Sequence, residues 1–269
     1  MRSGFEENVA AYEQTVRAVI GLAEGFTDAE WDLPTDCPGW TVKDVVSHLV
    51  SAEELFMGDP LPSHDLPDLP HVKNELGRLV EVGVDVRRPL PGAEVLAQLK
   101  TTLERRLATL REVDPASEAP QPDGRKGDHT RLMRFRAFDC WIHEQDIRRA
   151  TGRPGGLDAP AGVQTWQVMS PGLPFVVAKR AGARPGDTVV FEITGARRHT
   201  AVVTVDEKGR GSLDEASPAP GHPTVRLGLD WEDYTKLAAG RCGPDAVKAV
   251  VEGDRELAGR ILENMAVTP

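Results

Sequence analysis

The sequence predicts a two-domain α+β protein, in which a bundle of amphipathic helices precedes a smaller domain of strands and helices. Three observations predict this organisation. Apolar residues recur every three or four positions through roughly the first 150 residues, as helices require. A glycine- and proline-rich segment, TGRPGG, then ends at Gly156, and short β-branched runs follow it. We therefore place the boundary near residue 156, with domains at residues 1–156 and 157–269.

Helices are expected in five stretches of the first domain. Their apolar stripes cover residues 5–23, 72–86 and 95–110, a segment that begins at Thr41, and the segment that contains Asp139 and His143. Thr41 and Asp44 form a T-x-x-D pattern, a near relative of the capping box, so a helix is predicted to begin there. The proline-rich stretch GDPLPSHDLPDLP follows this helix, and we expect His64 and His71, in or beside it, to be solvated. Bundles with crossover connections build metal sites from facing helices.

The second domain mixes helices with short strands. A helix is predicted over residues 163–183, with an interruption near the prolines at 171–174. Strands are predicted at residues 188–193, 200–205 and 224–229. Asp230 and Asp254 are expected to begin the last two helices, because a carboxylate caps free backbone N–H groups. The second domain is therefore predicted to be α+β.

Composition restricts the partners and the compartment. A formal net charge of −10 over 269 residues argues against nucleic acid or an anionic membrane as a partner. Apolar runs are too short to span a membrane, and the polar N-terminus lacks the apolar core of a secretory signal. Three widely spaced cysteines exclude a disulfide framework and indicate a reducing cytoplasm; we expect Cys140 to pack and Cys37 to have no special role. The sequence does not indicate an oligomeric state.

Asp139 and His143 are the main candidate functional residues. At 100° per residue they lie about 40° apart on a helical wheel, in the apolar sector of their helix. The opposite side carries Arg134, Glu144 and Arg148. An unpaired buried carboxylate is too costly to keep, so its charge must be compensated. An Asp and a His that converge from successive helical turns indicate a divalent metal.

His48 is the candidate third ligand. On the helix that begins near Thr41, it lies in the same sector as Val45, Ala52 and Leu55, so a polar group again occupies an apolar face. Two such sites on two helices would supply His, Asp and His. Three protein ligands leave a coordination position open, which is typical of catalytic metals.

Simpler interpretations stay open at this point. A lone inward histidine is more often a hydrogen-bonded core residue, and Asp139 with His143 can form a carboxylate–imidazole pair without a metal. Asp146 lies about 20° from Asp139 on the wheel and also faces inward. It can orient a ligand imidazole, as metal sites require, or it can form a salt bridge with Arg149 or Arg153.

Two segments of the chain resemble the mycothiol-dependent maleylpyruvate isomerase family, a branch of the DinB-like metal-binding bundles. The more specific is PGWTVKDVVSH, which ends at His48. The second is DCWIH, from Asp139 to His143, where Asp stands in place of the Glu that is common in the family. The tail from Trp231 onward is also similar to the family's sterol-carrier-like C-terminal domain. The likeness spans most of the chain.

The resemblance implies a fold, a cofactor and a chemistry. The fold would be a DinB-like four-helix bundle followed by a sterol-carrier-like domain. His48, Asp139 and His143 would bind a divalent metal, zinc being the metal we expect and nickel, iron or manganese the alternatives. Mycothiol, coordinated as a thiolate, would attack a small electrophilic substrate, which would then be isomerised or released as an S-conjugate.

Catalytic arginines are a separate expectation. An anionic substrate would need a cation, and the candidates are Arg136, about 60° from Asp139 on the wheel, and Arg241 in the second domain. Surface arginines without a role are the alternative. Two other functions also fit the same residues: a non-catalytic metal-containing protein that binds a small apolar ligand, and a metal-assisted hydrolase in which water takes the open position.

Overall fold

Helices fill the first part of the chain and a mixed sheet fills the second, in a computed structural model that describes residues 2–215 and 218–268. The chain divides into two compact units, Met1–Gln164 and Thr165–Pro269. This confirms the predicted α+β class with two domains. None of the helices within the described ranges combines the length and the apolar character needed to cross a bilayer.

The first unit is built from helices whose predicted stripes face one another. Their bounds are α1 Arg2–Ala23, α2 Asp28–Trp31, α3 Val42–Phe56, α4 Glu75–Asp85, α5 Gly92–Glu112 and α6 His129–Ala150, followed by α7 Ala161–Met169, which continues into the second unit. Helix α1 packs mainly on α6 and α5, while α3 packs on α4, α5 and α6. The core of the bundle therefore lies between α1, α3, α5 and α6, which places inward residues of α3 opposite those of α6.

Helix α3 begins where the sequence predicts. Thr41 is its N-cap, and the Thr41 Oγ1 atom accepts a hydrogen bond from the Asp44 backbone N–H at 3.2 Å. The Asp44 carboxylate in turn accepts from the Thr41 backbone N–H at 2.9 Å, which completes a capping box. Two free backbone donors are thereby satisfied at the start of the helix that carries His48.

Helix α6 is buried on more sides than its amphipathic pattern predicts. Glu144, expected on the solvent side, is only 1% exposed. A Cβ atom at Gly156 would lie 2.7 Å from the Glu144 Oε1 atom, so the loop after α6 covers this carboxylate. Arg148 compensates the charge through a 2.7 Å hydrogen bond from Nε to Oε1. The prediction of an exposed Glu144 was wrong because it took no account of that covering loop.

The loop near residue 156, where the boundary is predicted, is attached to the first unit. The Trp141 indole N–H donates to the Gly156 carbonyl at 2.9 Å, and Arg148 Nη1 donates to the Arg153 carbonyl at 3.2 Å. Gln164, further along, donates to the Asn8 side chain on α1 at 3.1 Å. The division between the compact units lies after Gln164, inside α7.

The second unit is organised around a five-stranded sheet in the described residues. Its strands are β1 Thr188–Thr194, β2 His199–Val205, β3 Gly211–Asp214, β4 Val225–Asp230 and β5 Val250–Gly253, in the order β3-β2-β1-β4-β5. Strand β1 pairs parallel with β4, and the other neighbours are antiparallel. Strand β1 buries Val189, Val190 and Phe191 in succession, so both of its faces are covered there.

Helices complete the second unit. A 3₁₀ turn (Ser170–Gly172), α8 (Leu173–Phe175) and a π-helical turn (Val176–Arg180) follow α7, and this is the interruption predicted near 171–174. Helix α9 Trp231–Ala238 and helix α10 Arg255–Glu263 begin after Asp230 and Asp254, whose carboxylates cap them as predicted. Pro244–Ala246 forms a further 3₁₀ turn. The sequence did not predict β3 and β5, because each has four residues and is defined by the strand beside it.

Removing the N-cap of α3 should lower the stability of the protein. We expect Thr41→Ala to reduce the free energy of unfolding by about 1 kcal/mol, because the backbone donor of Asp44 loses its acceptor. Thr41→Ser keeps the hydroxyl and should stay within a few tenths of a kcal/mol of the parent. Urea unfolding followed by circular dichroism measures both. Equal losses in the two variants would contradict a capping role.

Candidate metal centre

His48, Asp139 and His143 meet between α3 and α6. One potential ligand atom from each lies within 4.8 Å of the others. His48 Nε2 is 3.2 Å from Asp139 Oδ2, and His143 Nε2 is 3.7 Å from Asp139 Oδ1. Bond lengths of about 2.0–2.2 Å would separate tetrahedral N and O ligands by roughly 3.3–3.6 Å. The distances between these donors therefore fit a metal ion, and we call the three residues the N₂O donor set.

The two helices present these donors from the buried face of each. The His48 and His143 side chains are 9% and 7% exposed, whereas that of Asp139 is 18% exposed. The carboxylate is thus the most open of the three groups, and an external ligand would approach from its side. The centroids of the two imidazole rings lie 4.7 Å apart in an edge-to-face arrangement.

A chain of buried charges holds Asp139. Arg136 Nη1 donates to Asp139 Oδ2 at 2.6 Å, and Arg136 Nε donates to Glu53 Oε1 at 2.7 Å. The other oxygen of Glu53 lies 3.0 Å from Arg106 Nε on α5. Arg136 Nη2 also donates to the Cys140 sulfur at 3.5 Å. Three helices therefore contribute to one network of alternating charge around the candidate ligand.

The network decides the protonation state of Asp139. Burial raises the pKa of this carboxyl group, but the charge of Arg136 and the contact with His48 outweigh it and bring the pKa well below its usual range. The carboxylate is consequently charged at neutral pH, as a metal ligand must be. Burial raises the pKa of the Cys140 thiol far above its usual value, so this cysteine stays protonated and packs, as predicted.

Asp146 combines both of the interactions considered for it. Its Oδ2 atom lies 3.2 Å from His143 Nδ1, and its Oδ1 atom accepts from Arg149 Nη2 at 2.6 Å. An acceptor at Nδ1 places the imidazole proton there and directs the Nε2 lone pair towards Asp139. Arg149 also donates to Asp36 at 2.5 Å, so the orienting carboxylate is itself held in place.

The indole ring of Trp40 lies against the two histidines of the donor set. Its ring centroid lies 5.1 Å from that of His48 and 5.9 Å from that of His143. Its indole N–H donates to Glu81 Oε2 at 2.8 Å. Glu81 on α4 is 1% exposed and was not anticipated, because its position in that helix carries no periodic signal.

The segment between α3 and α4 is held against α4, close to Trp40. His71 Nε2 lies 3.1 Å from Glu81 Oε2, and His64 Nε2 lies 2.6 Å from Asp85 Oδ2. The prediction that both histidines are solvated was wrong, because each has a carboxylate on α4 as partner. Gly39 has a φ of +80°, and a Cβ there would lie 2.3 Å from His71 Nδ1. The loop before α3 therefore needs a glycine for its conformation and for this close approach.

The predicted catalytic arginines lie in different surroundings. Arg136 is 1% exposed, and its three nitrogens all donate to protein groups. Arg241 follows α9 in the second unit, where its Nη1 atom donates to the Ala239 carbonyl at 3.1 Å. The substrate-binding role of each remains a prediction.

Cys37 was expected to have no role, yet it lies at the edge of the site. Its Sγ atom is 3.3 Å from Asp146 Oδ2 and 3.9 Å from His143 Nδ1. No pattern in the sequence relates Cys37 to residues more than a hundred positions away. Only the folded structure shows that Cys37 lies beside His143 and Asp146, because folding brings the PGWT segment next to α6.

Comparisons with known proteins identify a family and a fold. The family profile of the mycothiol maleylpyruvate isomerase N-terminal domain matches residues 12–148, which include the whole N₂O donor set. The crystal structure of the mycothiol-dependent maleylpyruvate isomerase is similar in fold, with a TM-score of 0.57 and 16% identity over 91% of this chain and 92% of that one. A histidine-to-alanine mutant of that isomerase gives a TM-score of 0.55 and 17% identity with the same coverage. No curated protein sequence matches the chain.

The buried imidazole of His48 should make stability depend on pH in the metal-free protein. Burial lowers the pKa of His48 more than Asp139 raises it, so the folded state favours the neutral ring. Its stabilising contribution is present above the pKa of the unfolded state, about 6.5, and is lost as the pH falls below that value.

We therefore expect the parent to lose on the order of 1 kcal/mol more than His48→Gln between pH 7.5 and pH 5.5. Urea unfolding at the two pH values, with metal removed, measures the difference. His199 in the second unit also has a pKa lowered by burial, so His199→Gln serves as a matched variant. If the free energy of unfolding of His48→Gln falls with pH as steeply as that of the parent, His48 is not the group responsible for the pH dependence.

Proposed function

Because this chain belongs to the mycothiol maleylpyruvate isomerase family, whose N-terminal domain it contains at residues 12–148, we propose that it is a metal-dependent, thiol-using enzyme. Its thiol is mycothiol, and its reaction is the isomerisation or S-conjugation of a small electrophile. One observation carries the proposal: the convergence of His48, Asp139 and His143 within 4.8 Å on the buried faces of two helices.

The N₂O donor set would hold a divalent metal, with zinc the first expectation and nickel, iron or manganese equally compatible with two imidazoles and a carboxylate. Such a metal supplies Lewis acidity that keeps a bound thiol deprotonated, and the thiol supplies the nucleophile. The carboxylate side of the donor set, which is the most exposed, is where the thiol would enter.

In this proposal Arg136 acts on the ligand Asp139, and this replaces the substrate-binding role predicted for it from the sequence. It donates to Asp139 Oδ2, the oxygen that also faces His48, while Oδ1 faces His143. Glu53 fixes the guanidinium from the other side at 2.7 Å. The same hydrogen bond withdraws negative charge from the carboxylate, which would leave the metal more electropositive and favour an anionic thiolate over a neutral ligand.

Asp146 and Trp40 serve the two imidazoles in different ways. Asp146 accepts the Nδ1 proton of His143 and so presents the Nε2 lone pair to the metal. The indole of Trp40 lies against both rings and shields them from water on that side. A low local dielectric strengthens the attraction between a metal and a thiolate.

The metal content of the purified protein tests the donor set. We expect about one equivalent of metal by mass spectrometry in the parent, and none in the double variant His48→Ala, His143→Ala. Asp139→Asn, which is nearly isosteric, should also lose metal while keeping the fold. His129→Ala, at the start of the same helix α6, is the matched control and should retain it. Absence of metal from the parent, even after incubation with zinc, would mean that the three residues form only a buried polar cluster.

Dependence on a thiol tests the reaction class. We expect turnover of small unsaturated electrophiles, maleylpyruvate among them, only when mycothiol is added. Mycothiol should also raise the thermal midpoint of the metal-loaded parent and shift the visible spectrum of its cobalt-substituted form, because it binds the folded protein at the metal. Turnover without any thiol would indicate hydrolysis by a metal-bound water. No effect of mycothiol on spectrum or stability would contradict the proposal.

A further inference from the structure

We propose that Cys37, His143 and Asp146 form a second metal site, which takes soft divalent cations such as Cd²⁺ and competes with the N₂O donor set for His143. We call these three residues the SNO donor set. All three are buried, and their donor atoms lie within 4.8 Å of one another. The site does not depend on the proposed enzymatic activity.

The separations within the SNO donor set suit tetrahedral coordination. Cys37 Sγ lies 3.3 Å from Asp146 Oδ2 and 3.9 Å from His143 Nδ1, and the nitrogen and oxygen are 3.2 Å apart. Bonds of about 2.0–2.1 Å to nitrogen and oxygen and 2.3 Å to sulfur separate tetrahedral ligands by roughly 3.3–3.6 Å. An ion with bonds of these lengths therefore fits after small shifts, the largest a closer approach of the Cys37 sulfur to His143 Nδ1 from 3.9 Å.

The surroundings hold the three donors in place. The Cys37 backbone N–H donates to Thr35 Oγ1 at 3.2 Å, and the Cys37 carbonyl accepts from the Trp40 N–H at 3.1 Å, so a turn positions the thiol. Arg149 donates to Asp146 Oδ1, which leaves Oδ2 as the oxygen that faces Cys37 and His143. The carboxylate can thus bind an ion through Oδ2 without giving up its arginine.

The presence of sulfur decides which cations the SNO donor set prefers. Thiolate is a soft ligand, whereas two imidazoles and a carboxylate suit borderline ions. Binding breaks the S–H bond of Cys37 and releases that proton to solvent as the metal–sulfur bond forms. His143 changes tautomer at the same time, since the proton on Nδ1 must leave and Nε2 takes one up.

Because both donor sets use the imidazole of His143, they cannot both hold an ion at the same time. A neutral imidazole has one lone pair, at Nδ1 or at Nε2. When Nδ1 binds an ion, Nε2 carries the proton and no longer serves Asp139 and His48. A soft cation at the SNO donor set would therefore remove one of three ligands from the N₂O donor set and release the metal held there.

Cadmium binding to the metal-free His48→Ala variant tests the SNO donor set by itself. We expect one equivalent of Cd²⁺ by mass spectrometry after desalting, together with a sulfur-to-cadmium charge-transfer absorption in the ultraviolet. Adding Cys37→Ser should abolish the absorption and lower Cd²⁺ affinity at least tenfold. Adding Cys242→Ser, which removes a thiol of the second unit, should change neither. Circular dichroism confirms that each variant is folded.

Cadmium binding to the parent protein tests whether the two donor sets compete for His143. We expect one bound Cd²⁺, not two, and release of pre-loaded zinc as the charge-transfer absorption grows. Two equivalents in the parent would overturn the exclusion. Absence of the absorption in His48→Ala, or its persistence after Cys37→Ser, would overturn the site itself. Neither result bears on metal binding at His48, Asp139 and His143, which Asp139→Asn tests without changing any residue of the SNO donor set.

Discussion

A charged carboxylate inside a helical bundle is the constraint on which the first unit depends. Asp139 lies on α6 beside His48 of α3, its side chain is only 18% exposed, and a carboxylate in such a place must be compensated by opposite charge and hydrogen bonds. Arg136 supplies the charge, but it is itself buried and needs Glu53, which in turn is shared with Arg106. One functional group is thus connected to side chains on three helices, α3, α5 and α6.

A second chain of polar contacts extends from the same point towards the surface. Asp146 orients His143, Trp40 covers both imidazoles, and Glu81 joins Trp40 to the segment between α3 and α4. The hydrogen bonds of His143 to Asp146 and of the Trp40 indole to Glu81 pair groups that burial would otherwise leave unsatisfied. The loop before α3 and the segment after it, which have little regular structure, are ordered around the donor set by these contacts.

The sequence predicts the donor set and Asp146 beside it, but not the supporting residues on other elements, and the reason is geometric. His48, Asp139 and His143 interrupt apolar stripes on their own helices, and the period of a helix makes such interruptions visible. Glu53, Arg106, Cys37 and Glu81 matter through partners on other elements, and no period within one segment encodes a contact across the bundle. The edge strands β3 and β5 were not predicted for the same reason, because their pairing partners lie elsewhere in the chain. The starts of α3, α9 and α10 were predicted, because each depends on a capping residue next to the helix.

The buried network also bears on the order in which the protein is assembled. Two carboxylates, Glu53 and Asp139, are matched by two guanidiniums, Arg106 and Arg136, so the charges of this network balance among themselves without a metal. Small zinc domains differ, because their ligands repel one another until the ion arrives and the chain folds only around it. Here the protein can fold first and bind the metal afterwards, in a reversible step. A cell could then set which ion the protein carries through its free metal pools long after synthesis is complete.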